Sequence, residues 1–473
     1  MFQRLFKDIA FYFIPNIVSR GLHFFLMPLY ARVFSPTEFG AIDLFVTLYA
    51  ILNITLALEI TQAFARLLPD AEAMDERSKL FSTAYWAIFI GFVLYALLAF
   101  LAPNFISSFL IGELGWEYIV RLSAIAMLAN ALFYLIESHL RFALKAKQTA
   151  AVKVIFAAIQ AGVTILLLLG LDKGMEAVFW GQLAASIVGL LFGLFWGKDS
   201  AQLRLSIDPV IWKKMVTFSA PLVLSSIAVY VANFMDRWML RTLMSLSEVG
   251  IYAVAARVAT LVAAGLSLFQ LALTPIIYNH YKVENSPKEL AKVFRIFTVL
   301  ISIPMIVLTM FAEPIVIILA GEPYAKAANI VAVLCLATVM LRIYIFAPGL
   351  VIAKKTKHVA AISIFAAAIN ITANLILIPV LGSLGAAIAT LLGGLVMALL
   401  FFKLGQREYK IPHKPVSEGF VLLSIMGFIA CSLTIDYCLG LYISGLVLAI
   451  AITVTTLEKG DLSSLKKILP TKR

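Results

Sequence analysis

The chain has 473 residues, of which 62% are hydrophobic and 14% charged, and its mean hydropathy is +0.99. No soluble core hides that much apolar surface, so lipid must be the solvent. A net charge of +12 would point to nucleic acid if the basic residues gathered in a soluble domain, but they are spread through short breaks between apolar runs.

A spanning helix needs about 20 mostly apolar residues. In chain order the runs predict helices near 9–33, 41–66, 80–102, 117–141, 150–171 and 175–196, then 215–240, 249–278, 293–313, 326–352, 359–379 and 384–404. A last pair lies near 418–436 and 441–457. The first run contains Arg20 and His23 and lacks a small-residue cleavage site, so it is read as a mature helix and not a signal peptide. The expected fold is therefore all-α: a polytopic membrane protein of about fourteen helices. It would comprise a first six-helix lobe over 1–210, a second over 211–405, and a helix pair with a tail over 406–473.

Lys and Arg concentrate on alternate breaks, at 4–7, 66–79, 141–153, 198–214, 282–295, 354–357, 403–414 and 459–473. The opposite side carries Arg32, Lys173, Arg241 and Lys326. By the positive-inside rule both termini are cytoplasmic. No loop is long enough for a folded domain. Cys335, Cys431 and Cys438 sit in or beside apolar runs without paired metal spacing, and they read as inert packing residues.

The two six-helix sets look like copies. Residues 35–40 read SPTEFG and residues 245–250 read SLSEVG, an offset of 210; residues 155–160 read IFAAIQ and residues 364–370 read IFAAAIN, an offset of 209 to 210. Each set begins with a proline inside its first helix, Pro15 and Pro221. Six crossings restore the starting side, so the copies are parallel, related by a pseudo-two-fold axis along the membrane normal. Transporters of that plan hold substrate between the halves.

A charge inside a spanning helix costs roughly 2.5 to 3.5 kcal/mol even on the lenient insertion scale, so it faces a cavity or a partner. Asn16, Arg20 and His23 form one polar stripe on the first helix. Arg257 shares a broad face of helix 8 with Thr260 and Ser267, and Arg342 is placed near the middle of helix 10, stacked over Thr338 and Phe346. Guanidinium binds phosphate oxygens through a planar fork, so Arg20, Arg257 and Arg342, with His23 and Asn16, are candidate cavity residues for an anionic phosphate group. The alternative is that each arginine pairs internally, with Asp43 or Glu59 of helix 2. Glu59 lies on a predicted face with Thr55, Gln62 and Arg66. Glu59 and Asp43 are the candidates for ion coupling, with a Glu59 salt bridge to Arg66 or Arg20 as the rival role. Asp236 and Arg237 are expected on different faces, as interfacial or inter-helix contacts. Prolines at 15, 28, 221, 275 and 348 favour bends. No catalytic residue, metal site or cofactor is expected; coupling to protons, sodium ions or the membrane potential stays open.

The segments SPTEFG and, from Asp236 to Ala255, DRWMLRTLMSLSEVGIYAVA resemble the polysaccharide-transport branch of the multidrug/oligosaccharidyl-lipid/polysaccharide exporter superfamily, whose best-known members are Wzx-type O-antigen flippases. The resemblance covers almost all of the first twelve helices. It implies transfer of an undecaprenyl-diphosphate-linked oligosaccharide from the cytoplasmic to the periplasmic leaflet of a bacterial inner membrane, by alternating access of two six-helix lobes. It also implies membrane lipid and polysaccharide-assembly proteins as partners. Relatives that flip lipid II carry cavity arginines that Arg20 and Arg257 resemble in placement, although no arginine lies in the membrane part of helix 2 here. The last helix pair resembles one that extends a groove for the lipid tail in those relatives. A lipid II flippase and a small-molecule antiporter of the same superfamily remain as alternatives. A membrane polymerase or glycosyltransferase would call for a large loop or clustered acids, which this sequence lacks.

Overall fold

A computed structural model describes residues 26, 28–434 and 439–456. Among them the chain is helical and has no strand. The helices are α1 (Pro36–Thr55), α2 (Ile60–Leu67), α3 (Met74–Leu101), α4 (Pro103–Leu110), α5 (Glu117–Phe142), α6 (Ala146–Ile165), α7 (Glu176–Gly197) and α8 (Pro209–Leu243). They continue as α9 (Leu246–His280), α10 (Ser286–Met310), α11 (Ala312–Ala320), α12 (Ala328–Met340), α13 (Gly349–Ile352), α14 (Thr356–Glu408), α15 (Pro415–Ser432) and α16 (Leu439–Thr456). Nine of the described helices are long and apolar enough to cross a membrane, and two shorter apolar helices follow at Glu418–Ser432 and Gly440–Val454. The protein is a multi-pass integral membrane protein, and its many exposed Leu, Ile and Phe side chains are the surface such a solvent demands.

The contacts divide the chain into two compact units, Met1–Gly250 and Ile251–Arg473. In the first, α7 packs on α5 and α6, and α5 packs on α3. Its core is aromatic, with Phe39, Phe45, Phe64, Phe81 and Phe92 fully buried. In the second, α12 and α13 pack on α14, and α10 packs on α15 and α16.

Expected helices 11 and 12 form the two arms of α14. They meet at Gly382, whose φ of 59° and ψ of −136° suit a residue without Cβ. The arms fold back on each other, so that Asn370 Nδ2 donates to Thr390 Oγ1 at 3.3 Å. Two expected helices are broken. The second stops at Thr55 and restarts at Ile60, with Leu58 and Glu59 left-handed at φ 49° and 52°. The tenth stops at Met340, passes through a 3₁₀ turn at Ile343–Phe346 and resumes at Gly349.

The S-x-x-E-x-G repeat begins equivalent helices. Ser35 caps α1, accepting from the Glu38 N–H at 3.3 Å while the Glu38 carboxylate accepts from the Ser35 N–H at 2.9 Å. Ser245 accepts from the Glu248 N–H, also at 3.3 Å, at the start of α9.

Candidate functional site

Arg342 owes its setting to the break in the tenth helix. α12 is buried along nearly its whole length and ends two residues before Arg342, which opens the 3₁₀ turn with φ −117° and ψ −12°. A main chain that leaves the helix frees a carbonyl, and Gln270 Nε2 of α9 donates to the Arg342 oxygen at 3.1 Å. The same glutamine receives the guanidinium: Arg342 Nη1 donates to Gln270 Oε1 at 3.5 Å and to Ser267 Oγ at 3.1 Å. Both partners are neutral. Among the described residues no carboxylate pairs with Arg342, and its Nε and Nη2 donors are unengaged there. It lies within an apolar segment flanked by Lys326 and Lys354. A half-buried cation with open donors and no counter-charge is suited to an anion with several acceptor oxygens.

The expected stacking of Arg342 over Thr338 and Phe346 does not occur, because the helical register ends between them. Thr338 bonds back to the Leu334 carbonyl, and Phe346 is buried with its ring 4.8 Å from Phe294 and 4.9 Å from Phe297. Ser267, expected beside Arg257, serves Arg342. Arg257 itself is half-buried on α9. Gln270 was not singled out by sequence; its spacing of three from Ser267 on one helix face was the available signal.

In the first unit Asp43 is occupied. It is buried in α1, and Arg237 Nε of α8 donates to its Oδ2 at 2.7 Å. Arg237 Nη1 and its backbone N–H both reach Asp236 Oδ1, at 3.3 and 2.8 Å, and the guanidinium stands 5.1 Å from the centre of the Phe234 ring. Asp236 and Arg237 thus make the inter-helix contact anticipated, but they do not point apart: the guanidinium folds back over its neighbour.

Glu59 is not on a continuous face with Thr55, Gln62 and Arg66. It sits at the left-handed break before α2, and Arg66 pairs with Asp70 at 2.8 Å on the surface. Among the described residues the Glu59 carboxylate has no hydrogen bond or ion pair. Asn16, Arg20 and His23 lie outside the described residues. No cluster of three or more His, Cys, Asp or Glu that could hold a metal occurs among the described residues.

Other polar contacts lie within the helices. Glu137 and Lys153 pair at 3.0 Å, and Asn374 Nδ2 donates to Asn370 Oδ1 at 3.2 Å. The connection between α7 and α8 is also held, through hydroxyls of α3. Gln202, Arg204 and Asp208 N–H groups donate to Ser78 Oγ, Ser82 Oγ and Thr83 Oγ1 at 2.9, 2.8 and 3.0 Å, and Trp86 Nε1 donates to the Arg204 carbonyl at 2.7 Å.

Residues 29–329 match the family described as polysaccharide biosynthesis protein. The chain belongs to this family. A further relative is the probable low-salt glycan biosynthesis flippase Agl15 of Haloferax volcanii, 25% identical over 400 residues that cover 82% of this chain and 80% of that protein. By fold the chain is similar to the lipid II flippase MurJ in an inward closed conformation, with a TM-score of 0.69 at 15% identity over 94% of this chain and 98% of that one. It is also similar to an inward-facing multidrug resistance MATE family transporter of the MOP superfamily, with a TM-score of 0.65 at 16% identity over 85% and 97%. These relatives are named as flippases and transporters and not as enzymes, in line with the sequence reading.

Proposed function

We propose that this protein is a flippase that carries an undecaprenyl-diphosphate-linked oligosaccharide from the cytoplasmic to the periplasmic leaflet of a bacterial inner membrane by alternating access, with both termini cytoplasmic. The observation that carries the reading is Arg342. A guanidinium inside an apolar segment, positioned by neutral Ser267 and Gln270, keeps its charge for a ligand, whereas Arg237 is engaged by Asp43. A phosphate diester or diphosphate matches that donor fork, and the family supplies the glycan. Arg257, on the same helix as Ser267 and Gln270, and Arg20 are further phosphate-binding candidates.

An apolar groove of about 250 Å³ in the second unit supports a polyprenyl tail as part of the cargo. α10, α12, α14 and α15 line it with residues that include Phe294, Phe297, Met305, Leu336, Phe402 and Ile425. Of the two carboxylates considered for ion coupling, Glu59 is better suited than Asp43, because Asp43 already serves Arg237.

The test is a reconstituted flipping assay with a lipid-linked oligosaccharide, normalised to folded protein. Arg342→Ala should reduce flipping by about tenfold or more, the scale of one lost charge-assisted contact, and Arg342→Lys should recover part of it. Normal flipping per folded Arg342→Ala molecule would sink the phosphate role.

A further inference from the structure

The two copies of the S-x-x-E-x-G motif touch each other. A Cβ on Gly40 would collide with the Leu246 carbonyl and lie 2.9 Å from the Gly250 nitrogen, and a Cβ on Gly250 would collide with the Pro36 carbonyl and lie 3.1 Å from the Gly40 nitrogen. The relation is reciprocal: the first turn of α1 crosses the first turn of α9 backbone to backbone, and only glycine at both positions permits it. Three residues further along α1, Asp43 is bonded to Arg237 of α8, and one turn beyond that the Thr47 carbonyl accepts from the Tyr230 hydroxyl at 2.5 Å. Successive contacts therefore fasten one face of α1 to α8 and α9 over about three turns.

The middle contact differs in kind from those flanking it. Asp43 and Arg237 have side chains only 10% and 13% exposed, and Asp236 is 8% exposed, so the charges are desolvated and strongly coupled where they meet. Glycine backbone contact is close but weak in enthalpy, and one hydroxyl bond is modest. A small movement of α8 carries Asp236 along with Arg237 and leaves the buried Asp43 carboxylate without its cation, so this contact resists the first stage of separation more than either neighbour. The segments it joins fall in the two expected sequence copies, α1 in the first and α8 with the start of α9 in the second, and all of them lie in the first compact unit.

We propose that the Asp43–Arg237 ion pair, seated above the Gly40–Gly250 crossing, is a latch that holds this end of the helices closed and must release in each transport cycle. The inference rests on the alternating-access reading, and its test reads conformation and not transport. In a background with Cys335, Cys431 and Cys438 replaced by alanine, Thr47→Cys places a thiol at a buried position one turn from the latch. The purified protein in lipid nanodiscs exposes both membrane faces to a charged maleimide.

Asp43→Asn should raise the labelling rate of that thiol roughly tenfold, which corresponds to about 1.4 kcal/mol withdrawn from the closed state. Arg237→Lys, which keeps the charge and loses the fork, should give a smaller rise, and it serves where Asp43→Asn does not yield folded protein. Exchanging the charges, Asp43→Arg with Arg237→Asp, should return labelling to within about twofold of the parent. A rate unchanged in folded Asp43→Asn and Arg237→Lys protein, or no restoration by the exchange, would overturn the latch. A normal labelling response without flipping would count against the proposed function alone.

Discussion

Leu144 and Lys354, 210 positions apart, end their helices in the same left-handed turn. Their φ values are 59° and 57°. The Leu144 N–H returns to the Arg141 carbonyl at 3.1 Å and the Lys145 N–H to Leu140 at 3.0 Å; the Lys354 N–H returns to Val351 at 3.0 Å and the Lys355 N–H to Leu350 at 2.9 Å. This is the Schellman arrangement, which glycine ordinarily closes, built twice here without glycine. Two residues with different side chains, at the offset of the sequence motifs, thus hold the same backbone turn.

The turn predicts an asymmetric response to substitution. A side chain in the left-handed region costs about 1–2 kcal/mol, against about 0.5–1 kcal/mol of extra chain entropy lost by glycine. Leu144 is 84% exposed and loses no packing when removed. Leu144→Gly and Lys354→Gly should leave the melting temperature of the purified protein unchanged or slightly raised, and Leu144→Val should lower it. A marked fall for both glycine variants would show that the turn is not held as described.

Glycines on α6 and α9 should behave in opposite ways. Gly162, inside α6, has nothing within 4 Å of a built Cβ, so Gly162→Ala should be neutral or stabilising by up to about 1 kcal/mol. Gly250→Ala drives a methyl into the Pro36 carbonyl and should destabilise by about 1–3 kcal/mol. Thermal unfolding of the two variants side by side checks the contrast, and equal behaviour would refute the backbone crossing.

The segment before α8 should exchange slowly although it is a loop. Ser78→Ala with Ser82→Ala removes the acceptors of the Gln202 and Arg204 amides, each worth about 1–3 kcal/mol if left buried and unpaired. Hydrogen–deuterium exchange over residues 201–208 should accelerate about tenfold or more in the double variant. Exchange as fast in the parent protein would mean the hydroxyls do not hold the segment.

Much of the architecture was legible because membranes simplify the code. Apolar runs of spanning length mark helices, lysines and arginines punctuate them, and copying leaves an offset that a few motif residues preserve. The helices begin earlier than the expected 41 and 249, at Pro36 and Leu246, where Ser35 and Ser245 accept from the Glu38 and Glu248 N–H groups. The membrane class and the all-helical fold followed from such local signals.

The partner of each charge was not local information. Asp43 and Arg237 are 194 residues apart, and hydropathy assigns both only a cost, not a counterpart. Leu58–Glu59 carries no glycine or proline to announce a break, and Pro348 marked a bend only at the far end of the break that begins after Met340, so the sequence ran both helices through and misplaced the neighbours of Glu59 and Arg342. Tertiary packing decided these points: a carbonyl freed from its helix finds Gln270, and a guanidinium settles on whichever oxygen the fold brings within 3 Å or so. Thus the sequence determined how many charges the membrane must accommodate and on which helices, and only the folded chain determined that Arg237 is matched by a carboxylate while Arg342 is held by neutral groups.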